Sequence, residues 1–300
     1  MSAAADEAAL LRHVQAVAAF EATWWQYDRD VLNLCDEHPD LVARLTDIAT
    51  TRPVTTFDVY FDASTQAIRS ERVIAYVKAF MSCLPSHERA AETNRPVVLY
   101  TTGNMGSGKS TSLRHLALGF RTLRLGATGL PVVIDADVVR ESLPEYRNGL
   151  GSAVVHDEAC HVTYERLLPA AIDRGCDLIF DTIGKHDSIR TTLDGLIVAD
   201  YEVHMIVATA PLAVCQERTT GRTLHRNGRV VDPAVQAALH GQPEATLDRL
   251  LDEEVPLAGW VVVDTGQPDG HLQVVKSGGL WSDVDADTLA VMLDTGKSGN

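Results

Sequence analysis

From residue 97 onward, short unbroken apolar runs alternate with longer stretches of helical spacing, the pattern of a parallel sheet with crossover helices. The runs are Val97-Val98-Leu99-Tyr100, Val132-Val133-Ile134, Leu178-Ile179-Phe180, Val203 to Thr209 and Trp260-Val261-Val262-Val263. They predict buried strands over 97–100, over 129–137, over 177–182, over 203–209 and over 260–264, with helical sequence over 111–118 and 164–174. Before residue 97 the period is helical. Leu10, Leu11, Val14, Val17, Ala18, Phe20 and Trp24 share one side of a first segment. Val31, Leu32, Leu34, Leu41, Val42, Leu45 and Ile48 line a second, broken at His38-Pro39-Asp40, so two or three short helices are predicted up to Thr51. Thr55 to Phe61 reads as extended, Ser70 to Phe80 as a helix, and Ser86 to Arg95 as a polar link. The glycine- and lysine-containing stretch after Asp294 is expected to fray.

The turn after the first strand carries the strongest chemical signal. Gly103-Asn104-Met105-Gly106-Ser107-Gly108-Lys109-Ser110-Thr111 contains G-x-x-x-x-G-K-[ST], whose four fixed positions match by chance in about one chain in a hundred of this length. An apolar strand precedes it and a helical pattern follows, as a phosphate-binding P-loop requires. Its glycines let backbone N–H groups turn inward on phosphate oxygens at a helix N-terminus. Lys109 would reach the β- and γ-phosphates and Ser110 would hold Mg²⁺.

Ligands of open α/β sheets bind at the carboxyl ends of the strands, so Asp135, Asp137 and Asp181 are expected to share one cleft with this loop. Asp137 is placed to accept a proton from an acceptor hydroxyl. The competing reading is that Asp135 or Asp137 caps a helix beginning at Val138. Asp181 ends its strand as a Walker-B carboxylate does, or else is a turn aspartate before Gly184. Arg218, Arg222 and Arg226 recur every four residues, with His225 and Arg229 beside them. On a lid such guanidinium groups stabilise a transferring phosphoryl; on a solvated face they pair with acids such as Glu217. Arg140 and Lys185 are further candidates for substrate phosphates.

Composition narrows the class. With 300 residues, 45% of them hydrophobic, the chain can build one large domain with an extension or two small ones. A net charge of −15 argues against broad adhesion to nucleic acid or anionic membrane, while leaving a local phosphate site open. No stretch is long and apolar enough to span a bilayer, and the N-terminus lacks the features of a secretory signal. Five cysteines without a C-x-x-C pair fit reduced thiols, and a cytoplasmic location is expected. His156, Cys160 and His161 invite a metal reading, but nothing nearby completes four ligands, and a satisfied helix face is the simpler account.

Taken together these residues resemble the zeta-toxin kinases, P-loop phosphotransferases of bacterial toxin–antitoxin systems. The resemblance covers roughly residues 57 to 265. Val133-Ile134-Asp135-Ala136-Asp137-Val138-Val139-Arg140 is similar to the family's hydrophobic D-x-D-x-[FV]-[RK] motif, with Pro144 and Tyr146 after it. Glu165 matches a substrate-contacting glutamate. Arg218 and Arg229 match two phosphate-binding arginines, and Phe180 to Lys185 takes the place of an E-G-T-x-R element.

The resemblance implies a three-layer α/β P-loop kinase with a mainly parallel sheet. Residues 57–285 would form that domain, 1–56 a helical N-terminal extension and 286–300 a C-terminal tail. It implies transfer of the γ-phosphoryl of ATP or GTP, with Mg²⁺, to the 3′-hydroxyl of the amino sugar in UDP-N-acetylglucosamine. Asp137 would be the base, Lys109, Arg218 and Arg229 the catalytic cations, and Glu165, Asp181 and Arg140 the acceptor contacts. Ser110 and Asp181 would serve the metal, and an antitoxin protein is a candidate partner. Asp181, Thr182, Ile183 and Lys185 depart from the family's pattern where the acceptor is read. A kinase acting on a nicotinamide dinucleotide, antibiotic, nucleoside or nucleic-acid hydroxyl therefore stays open, as do an NTP-hydrolysing switch and a non-catalytic nucleotide-binding regulator.

Overall fold

In the computed structural model, the residues described are 55–65, 67–68, 95–109, 113–125, 131–143, 145–146, 154–183, 186–224, 231, 233–267 and 271–298. The helices expected before Thr51 and over Ser70 to Phe80 lie outside them, as does nearly all of the polar link.

The first described element corrects an expectation. Residues 55–61, read as extended from their Val, Phe and Tyr content, form helix α1 (Thr56–Tyr60). Local hydrogen bonding outweighs β-propensity here: the Thr55 side chain accepts from the Asp58 N–H, and the Asp58 carboxylate accepts from the Thr55 N–H at 2.7 Å. Thr55→Ala should remove about 1 kcal/mol, seen as a melting temperature lower by about 2–4 °C in a chain of this size, whereas Thr55→Ser should melt as the natural protein does. A two-residue ladder follows, β1 (Phe61–Asp62) antiparallel to β2 (Ala67–Ile68).

The remaining elements follow in chain order. Strand β3 (Val97–Gly103) leads to helix α2 (Arg114–Leu125), then to β4 (Val132–Ile134) and α3 (Ala136–Ser142). Helix α4 (His156–Val162) passes through a π-helical turn, Thr163–Leu167, into α5 (Leu168–Asp173). Next come β5 (Leu178–Thr182), α6 (His186–Val198), β6 (Glu202–Thr209) and α7 (Leu212–Leu224). The chain closes with α8 (Pro233–Leu239), α9 (Gln242–Asp252), β7 (Gly259–Asp264), β8 (Gln273–Gly279) and α10 (Ala286–Ser298).

Six strands form one sheet in the order β4-β5-β3-β6-β7-β8, all parallel except β8, which runs antiparallel on β7. The central strands are buried along nearly their whole length, which is why they read as unbroken apolar runs. Leu99, Ile206, Val261 and Val263 meet Leu116 and Phe120 of α2 and Leu289 and Met292 of α10 on one face, where the rings of Phe120 and Trp281 stack at 3.9 Å. Side chains alternating with these point to the other face, Tyr100 and Phe180 stacked among them, and α6 and α9 lie against that side. The result is a three-layer α/β arrangement.

Residues after Asp294, expected to fray, continue as helix to Ser298 because α10 lies in close backbone contact with α2. A Cβ at Gly296 would stand 1.9 Å from the His115 carbonyl oxygen, and one at Gly119 would stand 1.8 Å from that of Met292. Only glycine permits that approach.

The chain divides into two compact units. One comprises the described residues within Ser82–Asp135, Leu168–Arg218 and Pro233–Asn300, and so holds the sheet. The other comprises those within Met1–Met81, Ala136–Leu167 and Thr219–Asp232, and holds α1, α3 and α4. Among the described residues no helix is long and apolar enough to cross a membrane.

Candidate active site

The site of the sheet-bearing unit is built on the turn that leaves β3. Gly106 and Gly108 adopt φ of +85° and +82°, and a Cβ on Gly106 would lie 2.3 Å from the Cys215 carbonyl oxygen. Glycine is demanded twice over, by the backbone angle and by the space. The Ser107 N–H closes the turn on the Asn104 carbonyl at 3.0 Å. Thr102 Oγ1, Asn104 Oδ1 and Ser107 Oγ are buried here and have no hydrogen-bond partner among the described residues. The Thr102 and Ser107 hydroxyls, which can donate, and the left-handed glycines fit the phosphate groups of a nucleotide.

Lys109, at the end of this loop, stands with its Nζ 3.6 Å from Asp181 Oδ1. Asp181 pairs in register with Thr101 across the parallel ladder of β5 and β3 and is only 8% exposed. The structure thus joins the P-loop lysine to the carboxylate expected of a Walker-B strand. Ser110, Thr111, Gly184 and Lys185 lie outside the described residues.

The two aspartates after β4 have different settings. The strand expected over 129–137 is limited to Val132–Ile134, so Asp135 is the residue at its end and Asp137 belongs to the first turn of α3. Asp135 is buried and accepts from Arg114 Nη2 at 2.8 Å within the sheet-bearing unit. Asp137 belongs to the second unit, where Arg140 Nη1 lies 3.2 Å from its Oδ1. Arg140 Nη2 stands 2.7 Å from His156 Nδ1. Because a guanidinium can only donate, His156 accepts at Nδ1 and carries its proton at Nε2. Arg140, expected at a substrate phosphate, is held here by Asp137 and His156.

Glu165 is exposed, in the π-helical turn between α4 and α5, a local form frequent at functional sites. It belongs to the same unit as Asp137. Cys160 Sγ contacts His156 Nδ1 at 3.7 Å, and burial pushes its thiol pKa up. His161 packs against the rings of Phe57 and Phe61, and burial lowers its pKa against the opposing pull of Glu165.

Arg218 lies on α7 beside the P-loop. Its Nη2 donates to the Thr265 carbonyl at 2.7 Å, and its Nη1 to Thr265 Oγ1 at 3.1 Å and to the Gly106 carbonyl at 3.5 Å. The side chain of Arg222, and His225, Arg226 and Arg229, lie outside the described residues. Sequence reasoning missed two polar residues at this loop, Gln236 and Thr265, and Arg114 beside Asp135. Thr265 follows directly on β7, so the rule that ligands gather at strand carboxyl ends is the signal that would have flagged it.

A P-loop on a central parallel strand, with its lysine beside a carboxylate on the neighbouring strand, is the constellation of a P-loop nucleotide-binding protein. The Zeta toxin family model matches residues 84–269, and the chain belongs to that family. It is a nucleotide-dependent phosphotransferase with a hydroxyl acceptor.

Solved structures share the fold. A chain from the PezAT chromosomal toxin–antitoxin system of the human pathogen Streptococcus pneumoniae is 16% identical, with 78% of this chain and 97% of that one covered and a TM-score of 0.51. The AvrRxo1-ORF1:AvrRxo1-ORF2 structure with sulphate ions is 15% identical, covering 76% and 78%, with a TM-score of 0.57. The same pair with ATP is 14% identical, covering 82% and 83%, with a TM-score of 0.54. No curated protein matches the sequence.

Proposed function

We propose that this chain transfers the γ-phosphoryl of ATP or GTP to a hydroxyl of a sugar nucleotide, with UDP-N-acetylglucosamine as the acceptor. The observation that carries phosphoryl transfer is the Lys109–Asp181 pair at the ends of adjacent parallel strands, beside a loop of left-handed glycines. The acceptor rests on the motif from Val133 to Arg140 and on Glu165.

In this reading Lys109 and the loop N–H groups hold the β- and γ-phosphates, and Arg218 and Arg229 offset charge developing on the transferred group. Asp137 takes the proton of the acceptor hydroxyl as its oxygen bonds to phosphorus, and the nucleoside diphosphate leaves. Arg140, Glu165 and Asp181 orient the acceptor. Mg²⁺, when bound, neutralises β- and γ-phosphate oxygens, and Ser110 and Asp181 are the residues that would hold it.

The match to a chain of a toxin–antitoxin system supports an antitoxin protein as partner. Residues from 57 onward would act as the kinase domain, in the cytoplasm where nucleotide triphosphates are abundant, with 1–56 as an extension to it; the stretch 286–300, expected as a C-terminal tail, supplies α10 to the core.

The test is a transfer assay with γ-labelled ATP or GTP, Mg²⁺ and a panel of UDP-N-acetylglucosamine, NAD, nucleosides, DNA ends and aminoglycosides. Label is expected on the sugar nucleotide. Label on another member would keep the kinase and replace the acceptor, an outcome for which the altered Asp181-Thr182-Ile183 element provides the reason.

A further inference from the structure

We propose that Thr265 and Gln236 are positioning residues that hold the P-loop in its phosphate-binding form by capturing its carbonyl groups from behind. Three successive carbonyls of the loop are engaged by side chains. Met105 accepts from Gln236 Nε2 at 2.8 Å, Gly106 from Arg218 Nη1 at 3.5 Å and Ser107 from Thr265 Oγ1 at 2.6 Å. The donors come from α8, α7 and the end of β7, and all lie in the sheet-bearing unit.

A peptide bond is planar and trans, so its C=O and the following N–H point in opposite directions. Fixing the carbonyls of Met105 and Ser107 toward the protein therefore turns the N–H groups of Gly106 and Gly108 the other way, where a phosphate would lie. The intervening N–H, that of Ser107, is used inside the loop by the Asn104 carbonyl. A glycine-rich loop has the greatest backbone freedom to lose, so its binding form needs support from outside. The support is rigid: Gln236 is 2% exposed and Thr265 5%.

The direction of the Thr265 hydrogen bonds is set by chemistry. Arg218 can only donate, so Thr265 Oγ1 accepts from it and has its one proton free for a carbonyl. The Ser107 carbonyl at 2.6 Å is nearer than that of Thr209 at 3.2 Å. The guanidinium is in turn held by the Thr265 carbonyl, so a charged group polarises the hydroxyl that grips the loop. This assignment rests on the chain's binding of nucleotide phosphates at the loop and is independent of which acceptor is used.

The test compares the full-length natural protein with Thr265→Val, Thr265→Ser and Gln236→Met. Affinities for ATP and ADP are measured alongside inhibition by adenosine, which has the base and ribose without phosphates. Thr265→Val is expected to weaken ATP and ADP about 10-fold, the scale of one lost polarised hydrogen bond, while adenosine inhibition and acceptor KM hold within about twofold. Thr265→Ser restores the hydroxyl and should return ATP affinity to the natural value. Gln236→Met should weaken ATP in the same selective way, and it carries the test if Thr265→Val does not fold. ATP affinity unchanged in Thr265→Val, an equal loss for adenosine, or failure of Thr265→Ser to rescue would each overturn the assignment. Natural protein without affinity for either ATP or GTP would overturn the nucleotide reading itself, and this assignment with it.

Discussion

Replacing Asp137 by asparagine is expected to lower phosphoryl transfer by about 10²- to 10⁴-fold, the range of a lost general base, with ATP affinity unchanged. The amide keeps the size of the carboxylate but cannot take up the proton that the acceptor hydroxyl must release. Asp137 is the better candidate of the two neighbouring aspartates because Asp135 is buried against Arg114 with its side chain 8% exposed, whereas the Asp137 side chain is 28% exposed. The amide can still accept from Arg140, which also keeps its contact with His156, so the variant should remain folded. A drop in turnover then reports chemistry. Transfer within about threefold of the natural protein would assign the base to another group.

Lys109→Met should cost about 10²- to 10³-fold in kcat, as removal of one preorganised donor does, and should weaken ATP binding as well. Methionine fills much of the same space without the charge. It also leaves the Asp181 carboxylate nearly buried without the ammonium 3.6 Å away, so the nucleotide-free protein should lose stability. Adding Asp181→Asn to Lys109→Met isolates the stability effect: the double variant should regain melting temperature, and a melting temperature that stayed low would show that the loss does not come from the unpaired carboxylate.

These two residues were legible in the sequence for different reasons. Lys109 belongs to a motif whose fixed positions lie within eight residues, so spacing alone reveals it. Strands β3, β5, β6 and β7 were readable because parallel strands buried on both faces become continuous apolar runs. Strand β8 was not, because an antiparallel edge strand with Lys276, Gly278 and Gly279 has no such run. Helix α1 was hidden because its residues favour strands and only the Thr55–Asp58 capping box decides against them. Asp137 was recognised as a carboxylate near a strand end, but its helical placement depends on β4 stopping at Ile134. Thr265 gave only its place after an apolar run, and Gln236 no pattern at all. Each acts on loop carbonyls 158 and 131 residues away through a single polar atom, a relation that exists only once the sheet has assembled.

The most direct measurement is the fate of the γ-phosphoryl. Natural protein and Asp137→Asn are each incubated with γ-labelled ATP, Mg²⁺ and UDP-N-acetylglucosamine at equal ATP occupancy, and label is divided between sugar nucleotide and inorganic phosphate. The account predicts label bonded to the amino-sugar hydroxyl with the natural protein and its near-complete loss with Asp137→Asn. Label released only as inorganic phosphate, at the same rate from both proteins, would contradict it.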